Sequence, residues 1–574
     1  MRIHTTILLM GGLAVGSQAV DLGTYKGCAA TDAEFKATQI YQGPVVASDD
    51  SGNGTLKLAF VPQPDGPSDV YFIQKRGAVK RYNAKTTTVD SLGLIAVDHK
   101  AEYGLVGIAV RGDFLKNPAV YVMYSFIEAD KSYSHRISRF KLSSDLKSLD
   151  LASEKILIKI MRKSVSWHTS GSMVFDEYDD LWVAVGDNQQ TEQGPANTAD
   201  LRGGILRIHP DESAKGYSIP AGNFGEHLSA YFKAQGNNDL AAQYADTNKV
   251  KPEIYVKGTR NAYTITVDPV RRWLTWGDVG PDQGKVSEEH NLVKEPFYMG
   301  WPYFAGEEDM GGIQPYDIKI PTGSLRTGPV NNAVISGVKQ LPPNRDPIFA
   351  RNEGCAMTGP IFRYDGALKG ANQFPPQMDR KWLISGCDGG YGFHLMTLDT
   401  AGEKVVTDSK IFANIHPNTL VDLKQGPDGA LYYVQWGTTT VNSGIYRVDY
   451  TGTCKDAALA VEKSGCATPG FTNYDPKLPK AYNNPGLCVN GSGVAAPALR
   501  DAAWLKVDGR SIAVSAQGPH ALEILDIRGR VVFGVKGEGS MSYAMPALPA
   551  PALYQVRVKT DLGTAIRGFS AIVP

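Results

Sequence analysis

Residues 167–187 read WHTSGSMVFDEYDDLWVAVGD, and this stretch decides how the chain folds. Two alternating apolar runs, Met173-Val174-Phe175 and Leu181-Trp182-Val183-Ala184-Val185, flank the acidic turn Glu177-Tyr178-Asp179-Asp180. Period-two alternation interrupted by a short polar turn is a β-hairpin pattern. His168 then precedes the first strand and Asp187 follows the second. The open ends of an antiparallel pair share one edge, so two titratable side chains face one mouth. On this stretch alone, His168 reads equally as a core histidine satisfied by backbone or as a site residue titrating near neutral pH.

The same phrase recurs along the chain. Leu58 to Val61, a Pro-Asp-Gly turn and Val70 to Ile73 form one copy, with Val79-Lys80-Arg81-Tyr82 as a third strand. LVGIAVRGDFLKNPAVYVMYS with ISRFKL is a second copy, and GGILRIHP follows the opening stretch as its third strand. YTITVDPVRRWLTWGD and LVDLKQGPDGALYYVQWG with SGIYRVDY are further copies, while GPIFRYDG and KWLISGCDGGYGFHLMTLD read as a unit in a different phase. No such unit covers both of its faces alone, so the units must pack side by side, and radial packing that keeps edge strands short gives an all-β propeller. The 61 glycines and 34 prolines among 574 residues suit such a turn-rich fold. Insertions at 187–201, 212–251 and 306–354 break the spacing and are expected to be functional loops at a rim.

The repeats stop after Tyr450. Residues 1–19 have a basic start, a short apolar run and the ending Ser17-Gln18-Ala19, the pattern of a secretory signal peptide rather than a membrane span. The organisation expected is therefore a signal at 1–19, a propeller at 20–455, a cysteine-containing spacer and linker at 456–498, and a small C-terminal β-sandwich at 499–574. Lysine plus arginine and aspartate plus glutamate both number 59, so nothing favours nucleic acid as a partner. Six cysteines in an exported chain, none spaced CxxC, favour disulfides over zinc. The pairing expected is Cys466 with Cys488 as a local staple, Cys355 with Cys387, and Cys28 with Cys454 joining the ends of the propeller; sequence leaves the connectivity open.

A second constellation is GTRNAYTITVDPVRRWLTWGDVGPDQG. Arg260 and Asn261 precede a strand as His168 does, which puts them at the same rim. Gly280-Pro281 follows the next strand in a turn that can aim carbonyl oxygens outward, the donors hard cations accept. With EYGLVGIAVRGDFLKNPAVYVMYS, WHTSGSMVFDEYDDLWVAVGD, NTADLRGGILRIHP, NLVKEPFYMGWPYFAG and LKQGPDGALYYVQWG, these phrases follow the order and spacing of the glucose/sorbosone dehydrogenase family. The chain resembles that family from roughly Leu56 to Tyr450.

The resemblance implies a six-bladed β-propeller that oxidises an aldose or related alcohol with pyrroloquinoline quinone and Ca2+, secreted or held at the outer cell surface. By the same resemblance His168 is the general base, Glu102, Arg260 and Asn261 contact the quinone, and the Gly280 and Pro281 carbonyls bind calcium. Asp187 is expected to contact sugar hydroxyls, and Trp167 to narrow the mouth or stack on the sugar. The part from about Asp501 looks like a type IX secretion sorting domain, which implies the secretion machinery as a partner; the sugar and the electron acceptor are left open. The family's quinone enzymes also use Lys and Arg from the last two blades against the cofactor's carboxylates. Here the matching positions are Asp388, Gly389, Thr419 and Val421, leaving Lys424 or Arg363 as substitutes. Losing those charge-assisted bonds frames the alternative, a non-catalytic carbohydrate-binding propeller that has given up the quinone. A calcium-dependent hydrolase on a similar propeller lacks support, because no set of phrases supplies a central cluster of carboxylate and amide ligands.

Overall fold

The computed structural model describes residues 20–46, 52–64, 66–165, 167–189, 194–281, 288–305, 336–338, 340–351, 354–365, 368, 372–387 and 390–455, and, in the C-terminal part, 505–507, 511–514, 518–525, 531–544, 553–560 and 563–570. The expected signal at 1–19, the Cys466–Cys488 staple and the spacer at 456–498 lie outside them. No helix among the described residues is long and apolar enough to cross a membrane.

Six antiparallel sheets follow one another along the chain. Blade I runs from Thr55–Val61 to Thr88–Leu94 and blade II from Leu105–Val110 to Leu149–Met161. Blade III opens with Ser170–Phe175 and Leu181–Val185, blade IV with Ala262–Val267 and Leu274–Asp278. Blade V opens with Ala356–Ile361 and blade VI with Leu420–Gln425. The first strand of each blade contacts the first strand of the next, and blade VI returns to blade I. That cycle is a closed six-bladed propeller with the first strands lining its axis. GPIFRYDG is in phase with the other copies, its Gly359-Pro360-Ile361 ending the inner strand of blade V.

Closure uses a strand that the repeat pattern did not reveal. Phe35–Val45, from the N-terminal side, pairs with Asn442–Tyr450 as the outer strand of blade VI. Its polar, half-exposed alternation carries little of the apolar signal that marks the inner strands. Cys28 and Cys454 are disulfide-bonded beside this seam, 5.7 Å apart at Cα, closing a loop with a sequence separation of 426. Cys355 and Cys387 are also paired, 5.3 Å apart at Cα, and link the first two strands of blade V at their rim ends. Both pairings agree with the sequence expectation.

The core lies between neighbouring blades, where each second strand inserts at least one large aromatic, among them Tyr71, Tyr121, Trp182, Trp276, Trp382 and Tyr432, all buried. The acidic turn of blade III is a structural knot. Asp176 accepts from the N–H groups of Tyr178 and Asp180 at 2.9 and 3.0 Å and from Trp182 Nε1 at 3.0 Å, the local bonding that makes aspartate a turn residue. Asp180 then pairs with Arg207 at 2.7 Å on the third strand.

The insertion at 212–251 holds two helices, Phe224–Ala234 and Asn238–Ala245, which pack on each other through Phe232 and Tyr244. Beyond blade IV's third strand the chain returns to blade III, where Phe297–Tyr298 pairs in parallel with Ile254–Lys257. This excursion carries Trp301 to the rim.

The C-terminal part forms a three-stranded and a four-stranded antiparallel sheet. Ile512, Val514, Leu522, Ile524, Val556 and Val558 are buried at alternate positions, one apolar face for each sheet, as a β-sandwich requires.

Candidate active site at the propeller rim

The first strands of all blades begin at one rim, so the residues just before them converge there. In blade III a bulge separates the Ser170–Val185 pair from the regular pairing that resumes at Met173. His168 has φ 61° and Ser170 φ 57°, in the left-handed region that non-glycine residues seldom occupy. Such backbone persists only where neighbours over-determine it. Here Asn188 N–H donates to the His168 carbonyl at 3.3 Å, and a Cβ at Gly186 would fall 1.9 Å from that same oxygen. Position 186 therefore requires glycine if the histidine is to hold its place.

His168 is 8% exposed, and its Nδ1 lies 2.7 Å from Asp187 Oδ1. The carboxylate accepts, so Nδ1 carries the proton and Nε2 presents its lone pair. Nε2 has no hydrogen-bond partner among the described residues. Asp187 is fully buried; Oδ1 also accepts from Gln189 N–H at 2.8 Å, and Oδ2 accepts from Trp301 Nε1 at 2.9 Å. The expected contact of Asp187 with sugar hydroxyls is not where the structure puts this carboxylate. It stands behind the histidine, sealed from the mouth by its own bonds.

Arg260 and Asn261 are set by Asp278, the last residue of the neighbouring strand. Its two oxygens accept from Arg260 N–H at 3.0 Å and Asn261 N–H at 2.6 Å. Burial raises the Asp278 carboxyl to about 6 despite those two backbone donors. The Arg260 guanidinium donates from Nη1 to the Val279 carbonyl at 2.9 Å and lies 5.7 Å from the Trp301 ring, while its buried Nε has no hydrogen-bond partner among the described residues. Asn261 Oδ1 accepts from Ser170 N–H and Oγ at 3.1 and 2.9 Å, tying blade IV to the histidine strand.

Arg260, Asp278, Gly280, Pro281, Glu289 and Trp301 line one narrow cleft. Gly280 N–H donates to Glu288 Oε1 at 3.3 Å, and burial raises that carboxyl to about 7. No described N–H donates to the carbonyls of Gly280 or Pro281. Glu102 reaches the same rim from blade II, where Oε2 accepts from Thr169 N–H at 3.1 Å. Trp167 is 49% exposed beside the histidine.

The substitutes for the missing cations are committed elsewhere. Lys424 Nζ donates to the Leu58 carbonyl at 2.6 Å and sits 3.6 Å from Asp422. Arg363 follows the far end of its strand, at the opposite rim, and is paired with Asp268 through Nε at 2.8 Å. Val421 packs in the core, Thr419 Oγ1 bonds to Asn418 at 3.0 Å, and Asp388 and Gly389 lie outside the described residues. The sequence does not mark Trp301, in FYMGWPYF, as a site residue. A tryptophan far along the chain gives no local sign of the carboxylate it will meet.

A model of the glucose/sorbosone dehydrogenase family matches residues 55–225. The chain is similar to the aldose sugar dehydrogenase YliI of Escherichia coli K12, 24% identical over 378 residues, 65% of this chain and 85% of that protein. It is also 23% identical to quinoprotein glucose dehydrogenase B of Acinetobacter calcoaceticus over 257 residues, 43% of this chain and 51% of that one. Among solved structures, a glucose dehydrogenase aligns with TM-score 0.51 and 18% identity, covering 72% of this chain and 98% of the other. A glucose dehydrogenase from Thermus thermophilus aligns with TM-score 0.50 and 19% identity, covering 72% and 99%. In sequence and in fold, the propeller is sugar-dehydrogenase-like.

Proposed function

We propose that the propeller oxidises an aldose or related sugar alcohol, with pyrroloquinoline quinone and Ca2+ held at the rim. One observation carries the reading: His168 is fixed by the buried Asp187 with no described partner at Nε2, on a rim segment that Asn261 ties through Ser170 to the strand of Arg260 and the Gly280-Pro281 turn. The residues fit such a cofactor. Arg260 Nε is a buried donor without a hydrogen-bond partner among the described residues, in the wall of the cleft, and the two turn carbonyls are hard-oxygen donors beside it.

When bound, the quinone with its calcium would supply the hydride acceptor. His168 Nε2 takes the proton from the sugar hydroxyl that becomes the carbonyl, and Asp187 stabilises the imidazolium that results. Arg260 offers positive charge where the acceptor gains negative charge, the logic of an oxyanion hole. Gly280 and Pro281 would hold the metal through their carbonyl oxygens. Trp167 offers an exposed aromatic face on which a sugar ring can stack.

The two disulfides suit an oxidising compartment, which supports export, and the C-terminal sandwich is the part offered to a secretion system. The test is reconstitution with pyrroloquinoline quinone and CaCl2, followed by reduction of an artificial acceptor with a panel of aldoses, before and after chelation. Turnover that chelation removes and calcium restores is expected. Absent turnover with retained oligosaccharide binding would replace the enzyme with a carbohydrate-binding propeller.

A further inference from the structure

The inner strands whose starts carry the rim residues also line the propeller axis, and a lysine reaches across that axis below the rim. Lys57 is the third residue of blade I's inner strand and is 2% exposed. Its Nζ donates to the Tyr263 carbonyl of blade IV at 2.8 Å and the Val421 carbonyl of blade VI at 2.6 Å, and stands 4.2 Å from the centre of the Tyr263 ring. Blade IV lies opposite blade I in the ring, so the ammonium lies across the channel rather than in its wall.

The depth follows from strand geometry. Tyr263 is two residues beyond Asn261, and Val421 two beyond Thr419. At about 3.3 Å per residue, the ammonium sits roughly 7 Å below the rim.

Lys57 has no ion pair within 4 Å among the described residues. The carboxylate at this level, Asp422, accepts from Leu58 N–H at 2.9 Å and is 3.6 Å from Lys424. Two cations thus face one anion. Glu102, the carboxylate above, is bonded to Thr169 N–H. Burial lowers Lys57 only to about 8, so it stays largely protonated at neutral pH. A buried ammonium that shares its nearest carboxylate with a second lysine costs stability that a neutral side chain of similar size would avoid. That cost makes sense if a ligand supplies the counter-charge.

We infer that Lys57, resting on Tyr263, is the charged floor of the mouth and attracts the carboxylates of an anionic ligand, replacing cations absent at positions 419 and 421. The inference rests on the quinone reading, because that cofactor carries the carboxylates. Its Nζ touches the carbonyl of Val421 itself, so the charge missing from one side chain returns from the neighbouring blade. Lys57 acts here through its field, as a positioning residue. At such a distance in a partly desolvated site, one charge changes affinity about tenfold or more.

Titration calorimetry tests this on the full chain with CaCl2, using wild type, Lys57→Met and Lys57→Gln. The probes are pyrroloquinoline quinone, its trimethyl ester and benzene-1,3,5-tricarboxylate, with near-ultraviolet circular dichroism to check the fold. The result expected is a loss of about tenfold or more in quinone affinity for a folded variant, with the ester's affinity unchanged. Equal quinone affinity in wild type and a folded variant would overturn the inference and leave the cofactor reading intact. If wild type binds only the tricarboxylate, and through Lys57, the cofactor reading fails while the charged floor stands. Binding of neither probe overturns both, and failure of both variants to fold makes Lys57 a structural plug and overturns the inference.

Discussion

Trp301 donates its indole N–H to Asp187 at 2.9 Å, and the other oxygen of that carboxylate holds His168 at 2.7 Å. A residue 114 positions away therefore fixes the tilt of the carboxylate that fixes the histidine. Asp187→Asn keeps an oxygen on His168 Nδ1 and Gln189 N–H but removes the negative charge that stabilises the imidazolium and sets an amide against the Trp301 N–H. A fall in kcat on the order of 10²–10⁴ is expected with KM little changed. Trp301→Phe removes one bond from the carboxylate and should cost less. Steady-state kinetics and the acid limb of the pH–rate profile check both.

His168→Ala removes the base while leaving Arg260, Asn261 and the Gly280-Pro281 turn in place. Turnover should vanish while calorimetry still detects quinone binding within a few-fold of wild type. Loss of binding instead would make His168 a cofactor contact rather than a base.

Gly186→Ala places a methyl group 1.9 Å from the His168 carbonyl. Relief requires moving the very backbone that points the imidazole into the mouth. A destabilisation of about 1–3 kcal/mol is expected in denaturant unfolding, together with reduced activity. Unchanged stability would show that the histidine segment is free to shift.

His290 is fully buried, and neither ring nitrogen has a hydrogen-bond partner among the described residues. Burial holds it well below its ordinary value of 6.5, with the nearby Arg351 adding to the effect. The unfolded chain therefore binds a proton below about 6.5 that the fold refuses. Stability should fall as pH drops through that range, at up to about 1.4 kcal/mol per pH unit from this residue. His290→Phe should flatten the dependence in denaturant titrations at pH 7, 6 and 5. An unaltered slope would mean that this histidine is protonated in the fold.

The Cys28–Cys454 bond lies beside the seam where Phe35–Val45 completes blade VI. Cys28→Ala with Cys454→Ala should cost about 2–5 kcal/mol and release the N-terminal strand first. Faster amide exchange in residues 35–45 than in blades II and III is the signature to measure.

Much of this molecule was legible before any coordinates. Inner strands announced themselves because an apolar alternation bracketed by turn residues is a local property, and it recurs from Leu58 to Tyr433. Positions just before those strands then had to share a rim, which is why His168, Arg260 and Asn261 were legible as neighbours, whereas Glu102 came only from the family resemblance. The outer strand at 35–45 escaped, since an exposed edge strand needs no apolar face. Lys57 escaped for the opposite reason: a lysine inside an apolar run reads as a surface position, and nothing local says that it points across a channel.

The sequence by itself determined the repeat, the shared rim and the identity of the residues along it, because strand period and turn chemistry act over a few neighbouring residues. Only the tertiary structure decided what each one touches. It turned Asp187 from a sugar contact into the buried partner of His168, brought Trp301 onto that carboxylate, sent Arg363 to the far rim and set Lys57 on the axis. Those outcomes depend on ring closure, which joins residues hundreds of positions apart, and no local preference encodes that distance.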